Sequence, residues 1–152
     1  MRRLIASALL SFMVAGCVAR PYSARLLTAD AAPVAVTALA PPLPPADNIR
    51  PTELRRGESS SIALVQIRDR EQPHVHARYD LTVTLVRGSG TLWLAGTPQP
   101  MRAGDIAFIP KGTPHYFVNE GSEPAAALVV FAPPFSGPDQ RPVEGAAPSA
   151  PE

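Results

Sequence analysis

The 152-residue chain predicts an all-β domain, an antiparallel β-barrel or jelly roll, flanked by disordered Pro/Ala-rich segments. Three observations lead there. Between residues 52 and 136 the apolar residues alternate with polar ones over short runs broken by Gly or Pro. No run in that stretch has the three-and-four spacing of an amphipathic helix. The nineteen prolines crowd the ends, with six from Pro33 to Pro51 and six from Pro133 to Pro151. Turn residues between evenly spaced short strands are the pattern of a barrel or sandwich.

The chain opens as an export signal over residues 1–16. Arg2 and Arg3 supply the charged start, and Leu4 to Val14 supply an apolar stretch too short to span a bilayer as a helix. Val14-Ala15-Gly16-Cys17 resembles the lipobox of bacterial lipoproteins, which implies a lipidation site at Cys17 and attachment to the membrane without crossing it. Cys17 is the single cysteine, so no disulfide can form within the chain. Val18 stands where an Asp would resemble an inner-membrane retention signal. The expected location is therefore the cell envelope, facing the periplasm from the outer membrane. Removing Arg2 and Arg3 from 14 basic residues leaves 12 against 13 acidic ones, a net charge of −1. With no basic block left, nucleic acid is not an expected partner.

Residues 17–51, with Ala40-Pro-Pro-Leu-Pro-Pro45, read as an extended proline-rich tether. The domain proper is expected over 52–136. Its candidate strands are Ile62–Ile67, Leu81–Val86, Thr91–Ala95, Asp105–Ile109, His115–Val118 and Ala126–Phe131. Within the second, Leu81, Val83 and Leu85 form the inward set, with Thr82 and Thr84 on the other face. Leu92 and Leu94 form the core pair of the third, which leaves Trp93 as a packing or surface residue. Residues 137–152 carry too few large apolar groups to offset ordering entropy and read as a disordered tail.

All three histidines fall at informative places. His74 and His76 are two apart, so both rings leave one face of a strand, where neutral ring nitrogens can bind a first-row metal together. The third ligand must be His115. Pro110 and Gly112 form a tight turn before it, Pro114 stiffens the approach, and Asn119 can tie down the chain that follows.

The run Gly104-x5-Pro110-x-Gly112-x2-His115-x3-Asn119 matches every defined position of the second motif of the cupin superfamily. The first motif is matched in part, by His74, His76 and the closing Gly88, with Arg68 where the family has its opening Gly. The chain thus resembles cupins over roughly 55–135, as a single small domain. The resemblance implies a jelly roll and a divalent ion on His74, His76 and His115, with Fe, Zn, Mn and Ni equally open. It also implies a homodimer, because small cupins pair through edge strands and an open edge needs covering.

The family's carboxylate ligand is the departure. Leu81 stands at its position, and Asp80 is one residue early and one methylene short. A bulge after His76 would turn Asp80 away, whereas an unbroken strand would keep it on the histidine face. The shell is therefore either three histidines with water or three histidines with Asp80. Tyr79, Met101, Phe108, Tyr116 and Phe117 are candidates for pocket lining or core, and Arg78 for holding an anion or for an exposed loop.

No catalytic residue can be named from the sequence. A lipid-held module binding a divalent metal and a small polar ligand is the first expectation. The alternative is a three-histidine Fe(II) dioxygenase or a metal-dependent isomerase acting on a small chelating substrate.

Overall fold

The computed structural model describes residues 24–143. The export signal, Cys17 and the end of the tail lie outside the described residues. The strands are β1 (Arg25–Thr28), β2 (Ala31–Ala35), β3 (Ile49–Arg56), β4 (Ser61–Ile67), β5 (His74–His76) and β6 (Asp80–Arg87). They continue with β7 (Ser89–Leu94), β8 (Thr97–Arg102), β9 (Ile106–Ile109), β10 (His115–Asn119), β11 (Ala125–Ala132) and β12 (Gln140–Pro142). Ten of them build two five-stranded antiparallel sheets, ordered β3-β4-β11-β6-β9 and β12-β5-β10-β7-β8, while β1 and β2 form a separate hairpin. This is the expected all-β jelly roll. Among the described residues no helix is long and apolar enough to cross a membrane.

Strand register explains the interior. Val129 is the partner of both Ala63 and Val83, and Val83 in turn pairs with Ala107, so one row of small apolar residues crosses the first sheet. The next row runs Val65, Ala127, Leu85. Leu92 and Phe117, partners in the second sheet, belong to the same buried cluster. Alanine and valine at so many inward positions cannot fill the space between the sheets. A cavity of about 780 Å³ remains, walled largely by that apolar cluster.

The structure departs from the sequence reading at both ends. The described part of the expected tether, 24–51, carries the hairpin, a 3-10 turn at Val36–Ala38 and the start of β3. It is ordered because it has something to bury. Val36 is 1% exposed and clusters with Leu64, Val86 and Ala126, with Leu26, Leu54 and Leu128 packed around them, covering the outer side of the first sheet. Arg68 fastens this segment, donating to the carbonyls of Leu43, Pro44 and Asp47. An arginine at the family's glycine position thus has a packing task. At the other end, β12 lies within the expected tail and pairs with β5.

Strand β8, unread in the sequence because of Pro98 and Pro100, is an edge strand, where a missing N–H costs no ladder bond. Ala95 and Gly96 turn the chain from β7 into β8 with φ of 49° and 80°.

Candidate metal centre

The three histidines meet on the wall of the cavity. β10 runs antiparallel to β5 with His115 directly opposite His74, and His76 lies two residues along on the same face. Ring centroids are 4.4 Å apart for His74 and His115, 5.1 Å for His74 and His76, and 5.5 Å for His76 and His115. One nitrogen from each lies within 4.8 Å of the other two, and all three residues are buried.

Each ring is held by its Nδ1. His74 donates to the carbonyl of Gln72 at 2.7 Å, His115 to the carbonyl of Thr113 at 2.8 Å, and His76 to Oδ1 of Asp139 at 2.7 Å. Acceptors at all three places put the proton on Nδ1, so each Nε2 keeps a lone pair for a cation. Burial pushes the His115 imidazole down to about 4 and lowers His76 as well, despite the opposing pull of Asp139, so both are neutral at physiological pH. Imidazoles oriented through Nδ1, each with an unprotonated Nε2, are the donor set that a first-row divalent ion takes. The three residues fit such an ion.

The turn that delivers His115 is built as its sequence indicates. Gly112 has a φ of 79° and donates to the carbonyl of His76 at 2.7 Å, which joins the turn directly to the first pair of ligands. Pro110 accepts from Thr113 at 3.1 Å within that turn. The side-chain amide of Asn119 donates to the carbonyls of Arg68 and Glu123, locking β10 at its far end. Gly88 and Gly104 both have positive φ, at 89° and 103°, and turn the chain at the ends of β6 and before β9.

Asp80 is not part of the centre. Residues 77–79 break the strand between β5 and β6, and the Asp80 carboxylate accepts from the Lys111 backbone N–H at 2.8 Å. It braces the His115 turn. Arg78 is likewise engaged, donating to Ser136, Gly137 and Pro138, and so is not a free anion-binding group. Met101 and Phe117 line the cavity. Tyr79 is buried, with its hydroxyl 3.0 Å from that of Ser136, while Tyr116 stacks on Trp93 at 5.8 Å and 4°. Phe108 is 60% exposed.

Sequence reasoning missed two carboxylates. Asp139, from the segment expected to be disordered, orients His76 and also accepts from the Arg78 N–H at 2.9 Å. Glu71, three residues before His74, lines the cavity and accepts from the Phe117 N–H at 2.9 Å. Burial raises its carboxyl above the usual range, against the opposing influence of His74. A signal for Glu71 was present in its closeness to the histidine pair. For Asp139, 63 residues away, there was none.

The comparisons with known proteins agree with this architecture. A family model described as a cupin domain matches residues 61–131. An uncharacterised protein of Aquifex aeolicus is 40% identical over 98 residues, covering 64% of this chain and 80% of its own length. A germin-like protein of rice, Germin-like protein 9-3, is 34% identical over 70 residues, and there the chain spans only a third of the relative's length. Among solved structures, TT1209 from Thermus thermophilus is similar with a TM-score of 0.58 at 26% identity, covering 65% of this chain and 94% of that one. KdgF from Halomonas sp. has the same TM-score at 19% identity, covering 66% and 93%, a likeness of fold alone. With two antiparallel sheets, the histidines of both motifs brought together and this family match, the chain belongs to the cupin superfamily.

Proposed function

We propose that this chain is an envelope-held cupin that binds one divalent metal on His74, His76 and His115 and presents it to a small molecule occupying the barrel. One observation carries the metal reading: three buried imidazoles each fastened through Nδ1, with a ring nitrogen of each within 4.8 Å of the other two. A polar strand end without metal has no need of that. The envelope address rests on the signal-like residues 1–16 and on Cys17 as the site of a lipid anchor.

The ligand follows from the walls. A cavity of about 780 Å³ lies in the size range of sites for small organic molecules, and its lining is largely apolar away from the histidines. The expected small polar ligand is narrowed accordingly to a molecule with a polar, metal-seeking head and an apolar body. A divalent ion would polarise a carbonyl or hydroxyl in that head. The second reading, a metal-dependent enzyme such as a dioxygenase or isomerase, is favoured by Glu71. Its carboxyl is placed against the cavity beside His74 and held protonated more readily than usual, which suits a proton donor.

Elemental analysis of the full chain, purified without chelator beside a His74→Ala/His115→Ala variant, tests the metal. The wild type should carry close to one equivalent and the variant almost none. Equal metal in both would remove the site.

A further inference from the structure

We infer that Gln140 is a fourth metal ligand, its side-chain amide turning over to present oxygen when the ion binds; this rests on the three-histidine reading above. The residue sits on β12, which pairs with β5 so that Gln140 lies opposite His76 and Pro142 opposite His74. The strand is fastened on both sides. Asp139 accepts from His76 and from the Arg78 N–H, and Val143 donates to the carbonyl of Pro73 at 3.1 Å. Gln140 lies on an exposed strand at the cavity's lining, and its amide nitrogen reaches to 3.2 Å from Nε2 of His74.

That separation is informative. Two donor atoms each about 2.1 Å from one ion lie roughly 3.0 Å apart at a right angle and roughly 3.4 Å apart at the tetrahedral angle. The tip of Gln140 therefore stands at a ligand-to-ligand distance from His74.

The chemistry of the two states differs. Without an ion, Nε2 of His74 is an acceptor, because its Nδ1 proton goes to Gln72, and the amide NH2 donates to it. With the lone pair given to a cation, that NH2 has no acceptor and faces positive charge. A half-turn of the terminal amide puts oxygen in its place without changing the occupied volume. The metal shell becomes three imidazoles and one amide oxygen, all neutral. Leu81 stands where the family resemblance placed a carboxylate ligand, and Gln140, from a strand of the other sheet, supplies the fourth donor instead. With no carboxylate among the ligands and Asp139 behind His76 as a single compensating charge, the metal centre stays net positive, so the head of the bound molecule should be anionic.

The test uses the full chain stripped with chelator and titrated with Co(II), read by visible absorption and by competition with a chromophoric chelator. Wild type, Gln140→Leu, Gln140→Asn and His74→Ala/His115→Ala are compared. Gln140→Leu should alter the ligand-field bands and weaken Co(II) binding by about tenfold. Gln140→Asn, one methylene too short, should behave like Gln140→Leu, and far-UV circular dichroism should be unchanged in both. Unaltered bands and affinity in both Gln140 variants, with binding lost only in the double histidine variant, would overturn the role of Gln140 alone. Tighter binding in Gln140→Leu would also overturn it, showing the amide to be a competitor for the lone pair. Absence of Co(II) binding by the wild type would overturn the metal reading together with this one.

Discussion

Asp139 holds His76 by a 2.7 Å hydrogen bond to Nδ1, although the two residues are 63 positions apart. The carboxylate stays ionised, since bonds from His76 and from the Arg78 N–H lower its pKa against the opposing effect of burial. It therefore fixes the tautomer of His76 and makes its Nε2 a better donor. Removing such a partner lowers metal affinity by roughly 10- to 100-fold in comparable sites. Asp139→Ala should show that loss in a chelator competition with Zn(II), while Asp139→Asn, which keeps an acceptor oxygen, should lose less. Equal affinity in all three proteins would reduce the pair to a structural contact.

A second prediction concerns acid. His115 is held down to about 4 from an ordinary 6.5, and His76 is lowered too. Below pH 6.5 the unfolded chain takes up protons that the folded one refuses, so the metal-free protein should lose stability as pH falls from 6.5 towards 4. The His115 shift corresponds to at most about 3 kcal/mol. Glu71, shifted up by burial, acts in the opposite sense above its ordinary 4.5 and shallows the slope. Melting temperatures in chelator should decline across that window and less so in His115→Gln. A flat profile for wild type would contradict the burial argument.

The histidine centre was legible because its information is local. His74-x-His76 and the turn from Gly104 to Asn119 each specify their own geometry, and the barrel only has to bring two strands together. The same holds for Leu81, Val83 and Leu85, whose alternation already named the inward face. Asp80 could not be settled, because its direction depends on the break at 77–79 and on a bond to Lys111. Asp139 and Gln140 were hidden in proline- and glycine-rich sequence that reads as unstructured. Their order comes from pairing with β5 and from the bonds of Arg78, which are tertiary facts. The hairpin of β1 and β2 was obscured by neighbouring prolines, although Leu26, Val36 and Leu43 were apolar enough to dock.

Gly90 offers a test of the packing that carries His115. It pairs with Asn119 at the far end of β10, and a Cβ there would stand 2.5 Å from Cζ of Phe117 and nearer still to the Val118 carbonyl oxygen. Backbone cannot yield as a flexible side chain can, so Gly90→Ala should destabilise by roughly 3 kcal/mol. Gly96 has nothing within 4 Å but a φ of +80°, so Gly96→Ala should cost only about 1–2 kcal/mol, from backbone strain. Urea denaturation midpoints of the two variants should fall in that order, and equal midpoints would place the constraint elsewhere.

The last prediction addresses the apolar interior. Ala127 lies on the central strand β11 between Val65 and Leu85, its methyl group on the cavity wall. In a filled core, a larger side chain there would overpack and cost about 1–3 kcal/mol. In a barrel holding about 780 Å³ of open space it should be accommodated, and the added apolar surface should hold or raise the melting temperature. Ala127→Leu should therefore remain as stable as wild type while binding a medium-chain fatty acid, such as decanoate, at least tenfold more weakly in the metal-loaded protein. Acetate, which has the same anionic head and no apolar body to collide with residue 127, should bind both proteins alike. If the variant unfolds early, the space between the sheets is core. If it is stable and still takes decanoate unchanged, the apolar body of the ligand lies outside the barrel.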